Sequence, residues 1–162
     1  QVAIVTMADG SDDTQQIDDL CKLVERGVVV AAASRYMSGG QQIGGPALKA
    51  FLSRLAGISL FWLAKVGTRD ATNSFKAYST EFVRDVEIHS DSGFEIGIEL
   101  VAKARRLRLP VAEIPTIWLE RAKGTSNFKL LRWLPRYLRW YRFAFGPKLT
   151  LEKVRAAGGA VG

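Results

Sequence analysis

The residues best suited to chemistry lie close to the start of the chain, where an apolar run of Val2, Ala3, Ile4, Val5 and Thr6 gives way to Asp9, Gly10, Ser11, Asp12 and Asp13. Carboxylate and hydroxyl oxygens at the carboxyl end of a strand are hard donors pointing into the crevice where open α/β sheets bind ligands. They suit Mg2+ or Mn2+ bridging phosphates. The competing reading is capping, in which Ser11 or Asp12 accepts amide hydrogens at the start of the helix TQQIDDLCKLVERG. On this stretch alone the two readings stand level.

A second set of candidates is cationic. In LERAKGTSN, Arg121, Lys123, Thr125 and Ser126 surround Gly124 and supply the donors a phosphate needs. Ser34, Arg35 and Tyr36 precede the glycine-rich MSGGQQIGG, which has neither the spacing nor the Lys of a P-loop and reads as a loop covering a site. His89 is the one histidine and has no ligand spacing around it, so it reads as a surface residue. Glu95 and Glu99 share a helical face with Lys103 and read as a paired or solvated stripe. The neighbours Arg69 and Asp70 read as a structural ion pair at a strand entrance. Cys21, the single cysteine, falls on the apolar face of the first helix and excludes an intramolecular disulfide.

These side chains need elements to hold them. With 162 residues and 48% hydrophobic composition, one packed α/β domain is expected. The opening strand and helix lead to a second strand, Val28 to Ala33, apolar enough to be buried on both faces, and the strand-helix-strand order implies a parallel crossover. Pro46 begins a helix to about Lys65 that reads either as a buried core helix or as one seated at a membrane interface. The buried core helix is the first reading; interfacial seating is the alternative, and it rests on Phe51, Phe61 and Trp62 with Lys49, Arg54 and Lys65 as snorkelling cations. The longest charge-free apolar run, Leu55 to Ala64, is too short to cross a bilayer, so no transmembrane helix is expected. A short strand SFKAYS, a helix over Thr80–Val86, a helix from Phe94 to about Arg108 and an edge-like strand from Val111 to Trp118 follow.

Charge is uneven along the chain. Net charge is +7, and residues 101–162 carry fourteen basic against three acidic residues. Residues 128–147 wind into a helix, kinked or restarted at Pro135, with Arg132, Arg136 and Arg139 on one stripe and Trp133, Tyr137 and Trp140 on the next. Trp133, Arg136, Tyr137, Arg139 and Trp140 are therefore the expected contacts with an anionic membrane surface. No nucleic-acid-binding motif is present, and nucleic acid is not an expected partner. Residues 148–162 read as a flexible tail.

In order and spacing, MADGSDD, ASRYMSGG, SRLAGISLFWLAKVGTRDATNSFKAY, GFEIGIELVAKA and EIPTIWLERAKGTSNFKL resemble the family 2 glycosyltransferases of the dolichyl- or polyprenyl-phosphate mannose synthase type. The resemblance runs from residue 1 to about 145. It implies a GT-A-like, Rossmann-like fold with a mainly parallel sheet, residues 1–127 forming its C-terminal portion. The implied activity is inverting, metal-dependent transfer of a sugar from a nucleotide-sugar, GDP-mannose or a UDP-sugar, to a polyprenyl or dolichyl phosphate, at the cytoplasmic face of a membrane to which the protein binds peripherally. The family's acidic motif falls on MAD, so Asp9 takes the second acid's place, Met7 stands where the first is expected, and Asp9 and Ser11 are the implied ligands of Mg2+ or Mn2+. Acceptor phosphate falls to Arg35, Arg54, Ser53 or Ser59, Arg121 and Ser126. Asp9 and Asp70 are the implied catalytic residues. Family members carry roughly another strand-helix-strand-helix unit ahead of the acidic turn. Without it this chain is expected to bind nucleotide weakly and turn over poorly. The alternative reading is a peripheral membrane- or polyanion-binding module without catalysis of its own.

Overall fold

The computed structural model describes residues 1–91, 93, 95–120 and 130–159. Four strands, β1 (Val2–Val5), β2 (Val30–Ser34), β4 (Lys76–Ser79) and β5 (Val111–Pro115), form one sheet in the order β1-β4-β2-β5. The fold is α/β as expected, and the sheet is mixed. β2 and β5 pair in parallel, while β4 lies between β1 and β2, antiparallel to both. β1 and β2 therefore run in the same direction without touching, joined over α1 (Ile17–Glu25). The carboxyl ends of β1, β2 and β5 and the start of β4 share one edge, with Val5, Lys76, Ala32 and Glu113 in a row across it.

Every residue of β2 is buried, in keeping with its unbroken apolar run. Ala31, Ala33, Phe75 and Ala77 face Leu20 and Val24 of α1, while Val30 and Tyr78 face Ile98 and Val101 of α4 (Ile96–Leu107). A second, two-stranded parallel sheet pairs β3 (Gln41–Ile43), inside the glycine-rich loop, with β6 (Ile117–Leu119). The stretch expected to be one edge strand thus breaks at Thr116 and serves two sheets.

The helices depart from expectation in three places. α2 (Ala47–Ser59) continues as a π turn over Leu60–Ala64, and Lys65 ends it in the left-handed conformation. It is not a buried core helix: Leu48, Phe51, Leu55, Trp62 and Leu63 are all more than half exposed. Taken with the π turn, the 18 residues Ala47–Ala64 are long and apolar enough to cross a membrane, against the expectation from the charge-free run Leu55 to Ala64 alone. α5 (Leu130–Ala144) holds Pro135 within a single helix and packs on α4. Finally, Leu151–Gly159, expected to be flexible, forms α6, with Val154 fully buried against α3 (Thr80–Val86) and α4.

Candidate phosphate-binding site

The shared edge gathers the site. Arg35 leaves the end of β2, and its guanidinium meets Asp70, which is fully buried in the turn before β4. Arg35 Nε and Nη2 donate to Asp70 Oδ2 and Oδ1 at 2.7 and 2.9 Å, and the Arg35 amide donates to Oδ2 at 3.0 Å. This is the two-pronged geometry in which a planar guanidinium is aimed as well as paired. Burial by itself pushes the Asp70 carboxyl up. Attraction and hydrogen bonds from Arg35, joined by Lys76, outweigh it and hold the carboxyl below its ordinary value. The same pairing overcomes the burial of Arg35 and holds its charge more firmly than usual.

α2 completes the site by lying very close to that turn. A Cβ at Gly57 would stand 2.0 Å from the Arg69 carbonyl oxygen, so only glycine permits the approach. The contact brings Ser53 to Thr72, 2.6 Å between hydroxyl oxygens, and places Ser53 Oγ 3.1 Å from Arg35 Nη2. Arg54, one residue on, is exposed and has no ion-pair partner among the described residues. Arg35 and Arg54 line a cleft of about 690 Å³ with Tyr36, Gln42, Gly44 and Phe51. Gln42 Oε1 accepts from Tyr36 OH at 3.0 Å, and Arg35 lies over the Tyr36 ring at 4.8 Å.

Several expectations are corrected here. Ser59 faces away, its hydroxyl 3.0 Å from Tyr141 OH on α5, so Ser53 is the serine brought to the arginine. Arg69 and Asp70 do not pair with each other: Arg69 bonds Glu113 on β5 through side chain and amide, and its guanidinium lies over Phe61 at 4.1 Å. The Glu99 and Lys103 stripe is paired at 2.5 Å but fully buried rather than solvated, with His89 Nδ1 2.7 Å from the Lys103 amine. The expected membrane face of α5 turns inward. Trp133 and Trp140 are 8% and 2% exposed, Tyr137 packs on the same core, Arg139 bonds the Ala157 carbonyl oxygen, and Arg136 pairs with Asp91. Arg121 and Ser126 lie outside the described residues.

In the acidic turn the two readings divide by residue. Asp13 caps the short 3-10 turn at Thr14–Gln16, accepting from Gln15 N. Asp12 instead folds back, its Oδ2 accepting from Met7 N at 2.9 Å and Thr6 Oγ1 at 3.1 Å, and burial raises its carboxyl despite those bonds. Asp9 Oδ1 accepts from Ser11 N at 3.1 Å, and Ser11 is buried with its hydroxyl unpartnered among the described residues. Asp9 and Ser11 place one carboxylate and one buried hydroxyl in the same turn, and no group of three or more His, Cys, Asp or Glu side chains able to hold a metal forms among the described residues. The sequence reading missed Gln42 and Thr72, which carry no local signal, and named Tyr36 and Asp12 without these partners.

Comparison with known proteins gives the site its context. No family model matches the chain. It is 30% identical over 122 residues to a polyprenol monophosphomannose synthase of Mycolicibacterium smegmatis, covering 74% of this chain and 46% of that protein. It is 29% identical over 147 residues to a dolichol-phosphate mannosyltransferase of Pyrococcus furiosus, covering 86% and 41%, and 23% identical over 122 residues to an undecaprenyl-phosphate mannosyltransferase of Micrococcus luteus, covering 74% and 50%. The chain spans about half the length of the curated relatives it matches. Across most of its own length it is a homologue of the polyprenyl- and dolichyl-phosphate mannosyltransferases, within the family 2 glycosyltransferases.

Proposed function

We propose that this chain forms the acceptor side of a glycosyltransferase that moves mannose from a nucleotide-sugar to a polyprenyl phosphate. One observation carries the reading: Arg35, aimed by Asp70, and the exposed Arg54 open into a cleft at the polar flank of an uncovered apolar helix. Paired guanidinium donors beside aliphatic and aromatic surface match an acceptor that is phosphate at one end and hydrocarbon at the other.

The chemistry follows from the acceptor. With a second pKa near 6, a phosphate monoester is largely dianionic at neutral pH, so its oxygen attacks the anomeric carbon without a strong general base. Arg35, Arg54 and Ser53 hold and orient that phosphate. Inversion results from attack opposite the departing diphosphate. Asp9 and Ser11 would hold Mg2+ or Mn2+, which when bound supplies neutralisation of charge on the leaving diphosphate. Asp70 acts through Arg35, because its oxygens are taken up by Arg35 and the Asn73 amide.

Membrane seating falls to α2 rather than α5. Leu48, Phe51, Leu55 and Trp62 recur on one stripe, while Gly57, Leu60 and Ala64 on the other side are buried in protein. A helix committed to protein along one face and bare along the other lies in the interface plane, which makes the association peripheral. The test is transfer of radiolabel from GDP-mannose to undecaprenyl phosphate by protein expressed from the complete reading frame, with and without EDTA. Lipid-linked label that falls at least tenfold with Arg54→Ala or Asp9→Asn supports the reading. Vesicle binding without any transfer, unchanged by Asp9→Asn, would sink it in favour of a binding module.

A further inference from the structure

One buried cation at this edge of the sheet has no role in the site described above. Lys76, the first residue of β4, is fully buried, which is rare for a lysine without a carboxylate bonded to it. Its Nζ donates instead to the main-chain oxygens of Asn73 and, at 3.4 Å, Ala71. From α4 it meets Gly97, where an added Cβ would come within 3.3 Å of Nζ and 2.7 Å of the Asn73 oxygen. The two carbonyls belong to the turn that follows Asp70, so the ammonium ties down the segment from which Asp70 reaches Arg35.

The surrounding charges are few. Asp70, Arg35 and Asp12 are in electrostatic reach of Lys76. Glu113, two strands away on the same row, is bonded to Arg69, and Glu99 on α4 is bonded to Lys103. Tyr78, next on the same face of β4, is kept neutral because burial raises its hydroxyl. Asp70 is therefore one carboxylate shared between two buried cations.

We propose that Lys76 is a positioning residue for the bound phosphate: it clamps the turn that holds Asp70, and its charge leaves the buried trio one positive charge in excess for an anionic headgroup to balance. The inference rests on the acceptor-phosphate reading. Burial lowers the ammonium to about 8 against the pull of Asp70, so its charge can be removed by pH.

The experiment is calorimetric titration of the chain with farnesyl phosphate between pH 7 and 9.5, a range in which a phosphate monoester stays dianionic. Affinity is expected to fall at least threefold as pH rises through about 8. Lys76→Met is expected to bind at least fivefold more weakly at pH 7 and to lose the pH dependence. A pH-independent affinity in the wild type, or a folded Lys76→Met that binds as the wild type does, overturns the inference alone. If Lys76→Met does not fold, the wild-type profile decides. Failure of the wild type to prefer farnesyl phosphate over farnesol at any pH overturns the acceptor reading, and this inference with it.

Discussion

Asp70→Asn isolates the interaction on which the site depends. The substitution keeps the shape of the side chain but removes its charge, and it turns one acceptor oxygen into an amide nitrogen facing the guanidinium. Either Arg35 Nε or Arg35 Nη2, now 2.7 and 2.9 Å from a carboxylate oxygen, loses its acceptor. Arg35, 11% exposed, and Lys76, fully buried, are then left without the anion they share. Breaking a buried pair by removing one partner costs about 3–5 kcal/mol. At roughly 2–4 °C per kcal/mol for a chain of this size, the melting temperature falls on the order of 10 °C. Thermal melts followed by circular dichroism at pH 7 measure the loss. The pH dependence carries a second check. Because the folded Asp70 carboxyl lies below its ordinary value, its contribution is in full force above the unfolded value of about 4 and fades as pH falls through the folded value. The gap between wild type and variant should therefore persist from pH 7 to about pH 4 and close below it. Removing Asp70 also takes away the pull that holds the Lys76 proton, so the gap should narrow as pH rises toward about 8, where the variant's Lys76 is neutral while the wild type's is still charged, and stay level above it. A loss under about 1 kcal/mol at pH 7, or a gap unchanged from pH 7 to 9.5, would refute the shared-anion account.

Three further outcomes separate support from site. Glu99→Gln weakens a fully buried pair whose carboxylate also accepts from the His89 and Ser90 amides at 2.8 Å, so a loss of about 3–5 kcal/mol in urea unfolding is expected with farnesyl phosphate affinity unchanged. Ser59→Ala removes the bond to Tyr141 and should cost about 1 kcal/mol with no effect on phosphate binding, whereas Ser53→Ala should weaken binding in the same calorimeter. Trp140→Ala, at a position 2% exposed, should cost about 3–5 kcal/mol. Trp62→Ala, at a position 66% exposed, should leave stability within about 0.5 kcal/mol but reduce sedimentation with anionic vesicles.

The sequence made local pattern legible and long-range pairing much less so. The both-face apolar run of β2, the length of α3 and the amphipathic α4 each follow from residues within one element. Nothing local marks QQI as a strand, since β3 is held by pairing with β6, more than seventy residues away. Nor does SFKAYS announce a central strand, because a lysine there is tolerable only when turn carbonyls accept its protons. Asp70 and Arg35 are 35 residues apart, and their partnership exists only because β4 inserts between β1 and β2. In the acidic turn, residue type alone could not divide the work among Asp9, Asp12 and Asp13. Each carboxylate was assigned by which backbone amide it meets.

The two amphipathic helices exchange roles for a reason in the same physical terms. Arg beside Trp on α5 fits a headgroup layer, but it equally fits aromatic rings packed on protein with guanidiniums stacked over them, as Arg136 lies over Trp133 and Arg139 over Trp140. Which of these holds depends on whether an apolar surface is waiting, and α4 supplies one through Ile98, Val101 and Ala104. Among the described residues α2 has no such partner for its wide apolar side. Gly57 lets it meet the Asp70 turn along a narrow strip, and the close approach that delivers Ser53 to Arg35 leaves Leu48, Phe51 and Leu55 turned outward. The contact that assembles the phosphate site is thus also the one that bares the helix. In the proposed reading, a lipid phosphate would meet its guanidinium donors and a place for its hydrocarbon on the same element.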